Sequence, residues 1–181
     1  MTRYRLQHWR NRAQSLSSDL PVDVADWLFD PTSLTARLMR YCHGRFSVRV
    51  LSQGYRHARL GERRALGMGD RENALIREVH LLCDDKAVVY ARTVIPVSTL
   101  VGPQRRLAHL GNKPLGAVLF SDNSMQRGEV QVAKLTAGQV RLAEESYAGT
   151  HADIWGRRSV FKLNERPLLV SEYFLPNLFS E

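Results

Sequence analysis

The chain has 181 residues, 44% of them apolar and 8% aromatic, which suits one domain with a real core and excludes a disordered chain. Its 26 Lys+Arg against 18 Asp+Glu leave a net charge of +8, which favours an anionic partner (nucleic acid, a membrane surface or a small acidic metabolite) without choosing among them. The apolar run "AVVYARTVIPVSTLV" is interrupted by Arg92 and Pro96, too short and broken to span a membrane.

The start, "MTRYRLQHWRNR", carries four arginines and no apolar segment, so a signal peptide is not expected, and residues 1–18 read as a loosely tied basic arm. Two helices follow. "VDVADWLFD" is a short one; "TSLTARLMRYCHG" is capped by Thr32 or Ser33, puts Leu34, Leu38 and Tyr41 on one stripe, and stops at Gly44. The period then becomes two: "FSVRVLS" sets Phe46, Val48 and Val50 against Ser47 and Arg49, a strand. Residues 53–70, rich in Gly and Arg, read as a loop or weak element.

"ALIREVHLL" and "AVVYARTVIPVS" are strands joined by the tight turn "CDDK". "GPQRRLAHLG" and "KPLGAVLF" are short helices opened by Pro103 and Pro114. "GEVQVAKL" is a strand; residues 136–153 fit no pattern; "RRSVFKLN" and "PLLVSEYFL" close the chain as a hairpin across "NER". Five or six strands in antiparallel hairpins, with helices at the start and middle, make an α+β domain.

Two charges stand out against this pattern. Alternation puts Leu75, Arg77, Val79 and Leu81 on one face of their strand, and Leu168, Val170, Glu172 and Phe174 on one face of the last. Arg77 and Glu172 are then the only polar groups on apolar faces, and an unpaired buried charge costs on the order of several kcal/mol. Either they pair, with each other or with other internal groups, or they line a cavity that a ligand completes. In a cavity the Arg would grip a carboxylate and the Glu would accept from a hydroxyl or act as a base.

"ARTVIPVSTLVGPQRRLAHLGNKPLGAVLF", "IWGRRSVFKLNERPLLVSEYFLP" and "LIREVHLLC" together resemble the chorismate lyase family of ubiquinone biosynthesis. The resemblance runs from about Trp27 to Pro176 and is weakest in the N-terminal arm and in residues 53–70 and 126–153. It implies a six-stranded antiparallel sheet flanked by helices, a ligand enclosed under flaps, and a monomer. It also implies conversion of chorismate to 4-hydroxybenzoate and pyruvate, without metal or organic cofactor. Carried over by position, the ligand contacts fall on Leu34, Arg77, Leu115 and Glu172, with Arg77 and Glu172 carrying the chemistry; at Leu34 the family pattern often has methionine.

Arg92 is a candidate for the second carboxylate of chorismate, and at least one of Arg157 and Arg158 is expected to face solvent. His8, His43, His57, His80, His109 and His151 show no metal spacing. "GERRALGMGD" is not a phosphate loop, and Ser98 lacks a nucleophile elbow. Cys42 and Cys83 form no metal motif, and one disulfide would be a thin framework, so a reducing compartment, the cytoplasm, is expected. Two rival functions follow from the same residues. The basic arm, with Tyr4, His8 and Trp9, is the one candidate for nucleic-acid contact. The effector-binding domains of bacterial transcription regulators share the implied architecture and bind a small ligand without turning it over.

Overall fold

Two hairpins with two-residue turns organise the sheet. Asp84 and Asp85 (φ 49° and 63°) join one pair of strands, and Asn164 and Glu165 (φ 48° and 63°) join another. Positive φ at both turn residues is the geometry whose twist matches that of paired strands. The computed structural model describes residues 8–11, 20–135 and 153–180. In chain order the strands are β1 (Arg10–Asn11), β2 (Phe46–Arg56), β3 (Ala74–Cys83), β4 (Lys86–Pro96), β5 (Gln126–Arg127), β6 (Gln131–Leu135), β7 (Ile154–Leu163) and β8 (Arg166–Phe174). They form one antiparallel sheet in the order β1-β6-β7-β8-β4-β3-β2, with β5 paired to β7. The six longer strands match the expected count; β1 and β5 are two-residue additions at its edges.

Four α-helices, α1 (Val22–Leu28), α2 (Leu34–Tyr41), α3 (Leu60–Leu66) and α4 (Leu115–Phe120), and a 3-10 helix at Gly102–His109 cover the sheet. Ser33 caps α2 by accepting from the Ala36 N–H. The expectation of a loop or weak element over residues 53–70 is corrected. β2 runs on to Arg56, and α3 follows, with the Glu62 carboxylate accepting from the Arg59 N–H and Gly67 ending the helix at φ 65°. The segment 136–152 lies outside the described residues, as does most of the basic arm.

Each face of the sheet carries its own core. On one, α1 and α2 press Trp27, Leu28 and Leu38 onto Val48, Val79, Leu81 and Phe174. Further along the same face, the 3-10 helix and α4 bring Leu107 and Leu119 onto Leu75, Ile95, Phe161 and Leu168. A gap is left between these two clusters. The opposite face takes α3, with Leu66 against Ile76, Val94 and Leu169, and a second patch around Tyr90, Ile154 and Tyr173.

The cysteines depart from expectation. Cys42, just past α2, and Cys83, at the end of β3, are joined as a disulfide with Cα atoms 5.1 Å apart. The fold brings them together because α2 packs over the β3 end of the sheet, and both lie within the same apolar core. Among the described residues, no helix is long and apolar enough to cross a membrane.

Candidate functional site

The gap between the two clusters is a cavity. Val79, Ala91, Thr93 and Val170 form its floor on the sheet, and Leu34 and Thr35 of α2, with Leu115 and Leu119 of α4, form its roof. α2 and α4 meet closely above it. A Cβ on Gly116 would come within 2.5 Å of the Thr35 Oγ1, so this contact admits only glycine without a shift.

Leu34, Arg77, Leu115 and Glu172 all line this one cavity. Leu34 and Leu115 are the first residues of α2 and α4, where backbone N–H groups have no acceptor within the helix. Arg77 and Glu172 are on the same face but do not pair. Register separates them: Arg77 is opposite Thr93 of β4, and Glu172 of β8 is opposite Ala91 of β4. That places the two Cα atoms two strands and two residues apart, roughly 12 Å at ordinary strand spacings.

Each charge has its own setting. Arg77 is 2% exposed and, among the described residues, donates only to neutral oxygens: the Gln53 Oε1 (3.0 Å), the Gly111 carbonyl (2.8 Å) and the Lys113 carbonyl (3.3 Å). The last two belong to the turn before α4, so Arg77 also ties down the roof. Burial pushes its pKa down. Glu172 instead accepts from the Arg157 Nε at 2.6 Å. Arg157 is itself 2% exposed, and its Nη1 donates to the carbonyls of Trp27, in the last turn of α1, and Asp30, just past it (3.0 and 2.9 Å).

Two of the arginine expectations are thereby settled. Neither Arg157 nor Arg158 is exposed, contrary to expectation: Arg157 lines the cavity, whereas Arg158 is half-buried on the other face, donating to Gln131 with its guanidinium over Trp9. Arg92, the candidate for the second carboxylate, does not reach the cavity. It is opposite Glu78, on the far face, and makes a buried ion-pair network with Glu62 of α3 (2.7 Å) and Glu78 (3.0 Å). Burial acts to raise the Glu78 pKa, but hydrogen bonds from Tyr90 and Ser52 and the Arg92 charge outweigh it and bring it to about 2.

One cavity arginine was not among the sequence candidates. Arg127 of β5 lines the wall, its guanidinium 5.4 Å from the Phe161 ring centroid. The charged groups of the lining are therefore three arginines and one glutamate, net +2. No group of three or more His, Cys, Asp or Glu placed to hold a metal occurs among the described residues. Such a lining suits an anionic ligand with an apolar body.

The sequence model of the family described as chorismate lyase matches residues 6–181. A probable chorismate pyruvate-lyase of Methylococcus capsulatus is 42% identical over 157 residues, covering 87% of this chain and 97% of its own. One of Azoarcus sp. is 46% identical over 156 residues, covering 83% and 82%. The chorismate pyruvate-lyase of Hamiltonella defensa is 36% identical over 159 residues, covering 87% and 81%. Among solved structures, the ligand-binding domain of a GntR-family transcriptional regulator from Bordetella bronchiseptica aligns with a TM-score of 0.56 at 15% identity, covering 72% of this chain and 84% of its own. The C-terminal domain of the histidine utilization repressor from Pseudomonas syringae aligns at 0.55 and 11% identity, covering 76% and 96%. At that identity the likeness is one of fold.

Proposed function

The chain belongs to the chorismate lyase family, and on that premise we propose that its cavity converts chorismate to 4-hydroxybenzoate and pyruvate, the step that supplies the ubiquinone ring in this family. The observation that carries the reading is that Arg77 and Glu172 line one cavity without pairing with each other. A cation with only neutral partners and a carboxylate with one oxygen engaged sit on the same face, two strands apart.

In this reading Arg77 binds the ring carboxylate, assisted by the Leu115 N–H. A charge-assisted hydrogen bond of this kind is worth about 1.5–3 kcal/mol. The Glu172 Oε2 is held by Arg157, and among the described residues no donor reaches Oε1, which accepts from the ring hydroxyl. The floor and roof press the ring between apolar side chains and Leu34. Aromatisation drives the reaction. The proton leaves the hydroxyl-bearing carbon, its electron pair becomes a ring π bond, and the neighbouring C–O bond breaks toward the leaving oxygen. The released enolpyruvate takes a proton on carbon to become pyruvate. The protein's share is to position and to stabilise charge, and no cofactor is called upon.

We place the protein in the cytoplasm as a monomer that contacts neither nucleic acid nor the membrane interior. Cys42 and Cys83 pack in an apolar core with Leu38, Val48 and Leu81, contacts between α2 and the sheet that do not consist of the disulfide itself. Incubation of the purified protein with chorismate tests the proposal: equimolar 4-hydroxybenzoate and pyruvate are expected. Stoichiometric binding without turnover would assign the fold to the effector-binding role instead.

A further inference from the structure

We propose that Arg127 recognises the enolpyruvyl carboxylate, and so is the residue that distinguishes substrate from product within the cavity. The inference rests on the reading of the cavity as a chorismate site. It starts from the balance of charge. Of the cavity's three guanidinium groups, Arg157 is neutralised by Glu172 at 2.6 Å. Arg77 and Arg127 form no ion pair among the described residues and donate only to neutral oxygens. Two cations with no carboxylate in direct contact, in a partly desolvated space, are costly until anions arrive. Chorismate brings two carboxylates; 4-hydroxybenzoate brings one.

Position then decides which cation takes which carboxylate. Arg127 is paired to Phe161 of β7, and its Nε and Nη1 reach only the Ser159 Oγ and the Pro31 carbonyl, both at a long 3.3 Å. Ser159 faces Val170, one step along the same face from Glu172. Arg127 therefore stands at the Glu172 end of the cavity and Arg77 at the other. In chorismate the ether carbon adjoins the hydroxyl-bearing carbon. With the ring carboxylate on Arg77 and the hydroxyl on Glu172, the enolpyruvyl arm leaves the ring at the Glu172 end, within the province of Arg127.

A guanidinium offers five N–H donors in a fork that fits a carboxylate. Two long bonds leave most of that capacity unspent. Burial first, and the neighbouring Arg157 charge second, push the Arg127 pKa down, while the more distant Glu172 and Asp30 carboxylates act the other way without forming an ion pair with it. When the C–O bond breaks, the electron pair goes to the leaving oxygen next to this carboxylate, so Arg127 also faces the charge that develops there. The bonds broken and formed are those of the elimination above, with no oxidant or reductant.

The test compares ligands that differ by an ether arm ending in the second carboxylate. Wild type, Arg127→Gln and Arg127→Lys are titrated with 4-hydroxybenzoate and with 3-(carboxymethoxy)-4-hydroxybenzoate, and assayed with chorismate. For Arg127→Gln the expected result is about a tenfold to hundredfold loss in affinity for the dicarboxylate and in kcat/KM for chorismate, the range of one charge-assisted contact. Affinity for 4-hydroxybenzoate should change less than about threefold, and Arg127→Lys should recover part of the loss. Equal losses for both ligands would make Arg127 a wall residue and overturn the inference, as would no loss for either. If wild type fails to cleave chorismate yet shows the dicarboxylate preference, the reaction assignment fails while the role of Arg127 as an anion contact stands.

Discussion

Arg157 and Glu172 are direct cross-strand partners on β7 and β8, and their side chains close an ion pair of 2.6 Å at the edge of the cavity. This pair, rather than a bond between Arg77 and Glu172, compensates the charge in the last strand. It leaves Arg77 available for a ligand. Because Arg157 also bonds carbonyls at the C-terminal end of α1 and just past it, it fastens that helix to the sheet beside the site. Removing it strands a carboxylate in a partly buried place and frees those carbonyls. Arg157→Ala is expected to cost about 3–5 kcal/mol of stability, read from urea unfolding. A loss below about 1 kcal/mol would show that the pair behaves as a surface contact.

Glu172→Gln retains an oxygen that accepts from Arg157 but removes the negative charge. The fold should survive, with thermal unfolding close to wild type. The ring hydroxyl loses a charged acceptor, so kcat for chorismate should fall by about tenfold or more, one charge-assisted bond's worth. Steady-state kinetics give the answer directly, and full turnover in this variant would show that a carboxylate is not required there.

Gly116 permits α2 and α4 to meet over the cavity. Gly116→Ala drives a Cβ to 2.5 Å from the Thr35 Oγ1 and should force the two helices apart. Release of 4-hydroxybenzoate should then speed up by several-fold, as measured by stopped-flow displacement. Because the clash is with that hydroxyl, adding Thr35→Ala should restore slow release. If the double variant releases product as fast as the single one, the helix contact does not govern escape.

On the other face, the Glu78 pKa of about 2 is far below its ordinary value of 4.5. A carboxylate lowered on folding stabilises the fold above its unfolded pKa, and that contribution is lost as the pH falls through the folded value. The stability gap between wild type and Glu78→Gln should be widest above about pH 5 and close between about pH 4.5 and 2. Unfolding by urea across this range checks the sign; a gap that widens in acid would contradict it.

Much of the sheet was legible because β2 alternates apolar and polar residues, β3, β4 and β8 are mostly apolar runs of strand length, and the β3–β4 and β7–β8 turns are short and polar; within those runs, side-chain alternation assigns each residue to a face. The same alternation singled out Arg77 and Glu172. It could not say what each pairs with, since that depends on register across three strands. Arg157 and Arg158 show the limit: adjacent residues point to opposite faces, and only the pairing of Arg157 with Glu172 tells which one enters the cavity. Arg92 stood as a candidate because α3 was read as a loop. Its short "LGERRAL" has no apolar period, so Glu62, the counter-charge that holds Arg92 on the far face, had no place in the reading. Arg127 escaped notice because a two-residue strand leaves no pattern at all; its place comes from pairing with Phe161.

The most direct test of the account is chorismate cleavage by wild type and Arg77→Ala, measured side by side with the affinity of each for 4-hydroxybenzoate. The account predicts that wild type releases 4-hydroxybenzoate and pyruvate one for one. For Arg77→Ala it predicts kcat/KM and product affinity falling together by about tenfold to hundredfold, the loss of one charge-assisted carboxylate contact. Unchanged product affinity in Arg77→Ala would remove Arg77 from the site, and a wild type that binds chorismate without releasing pyruvate would contradict the assignment of the reaction.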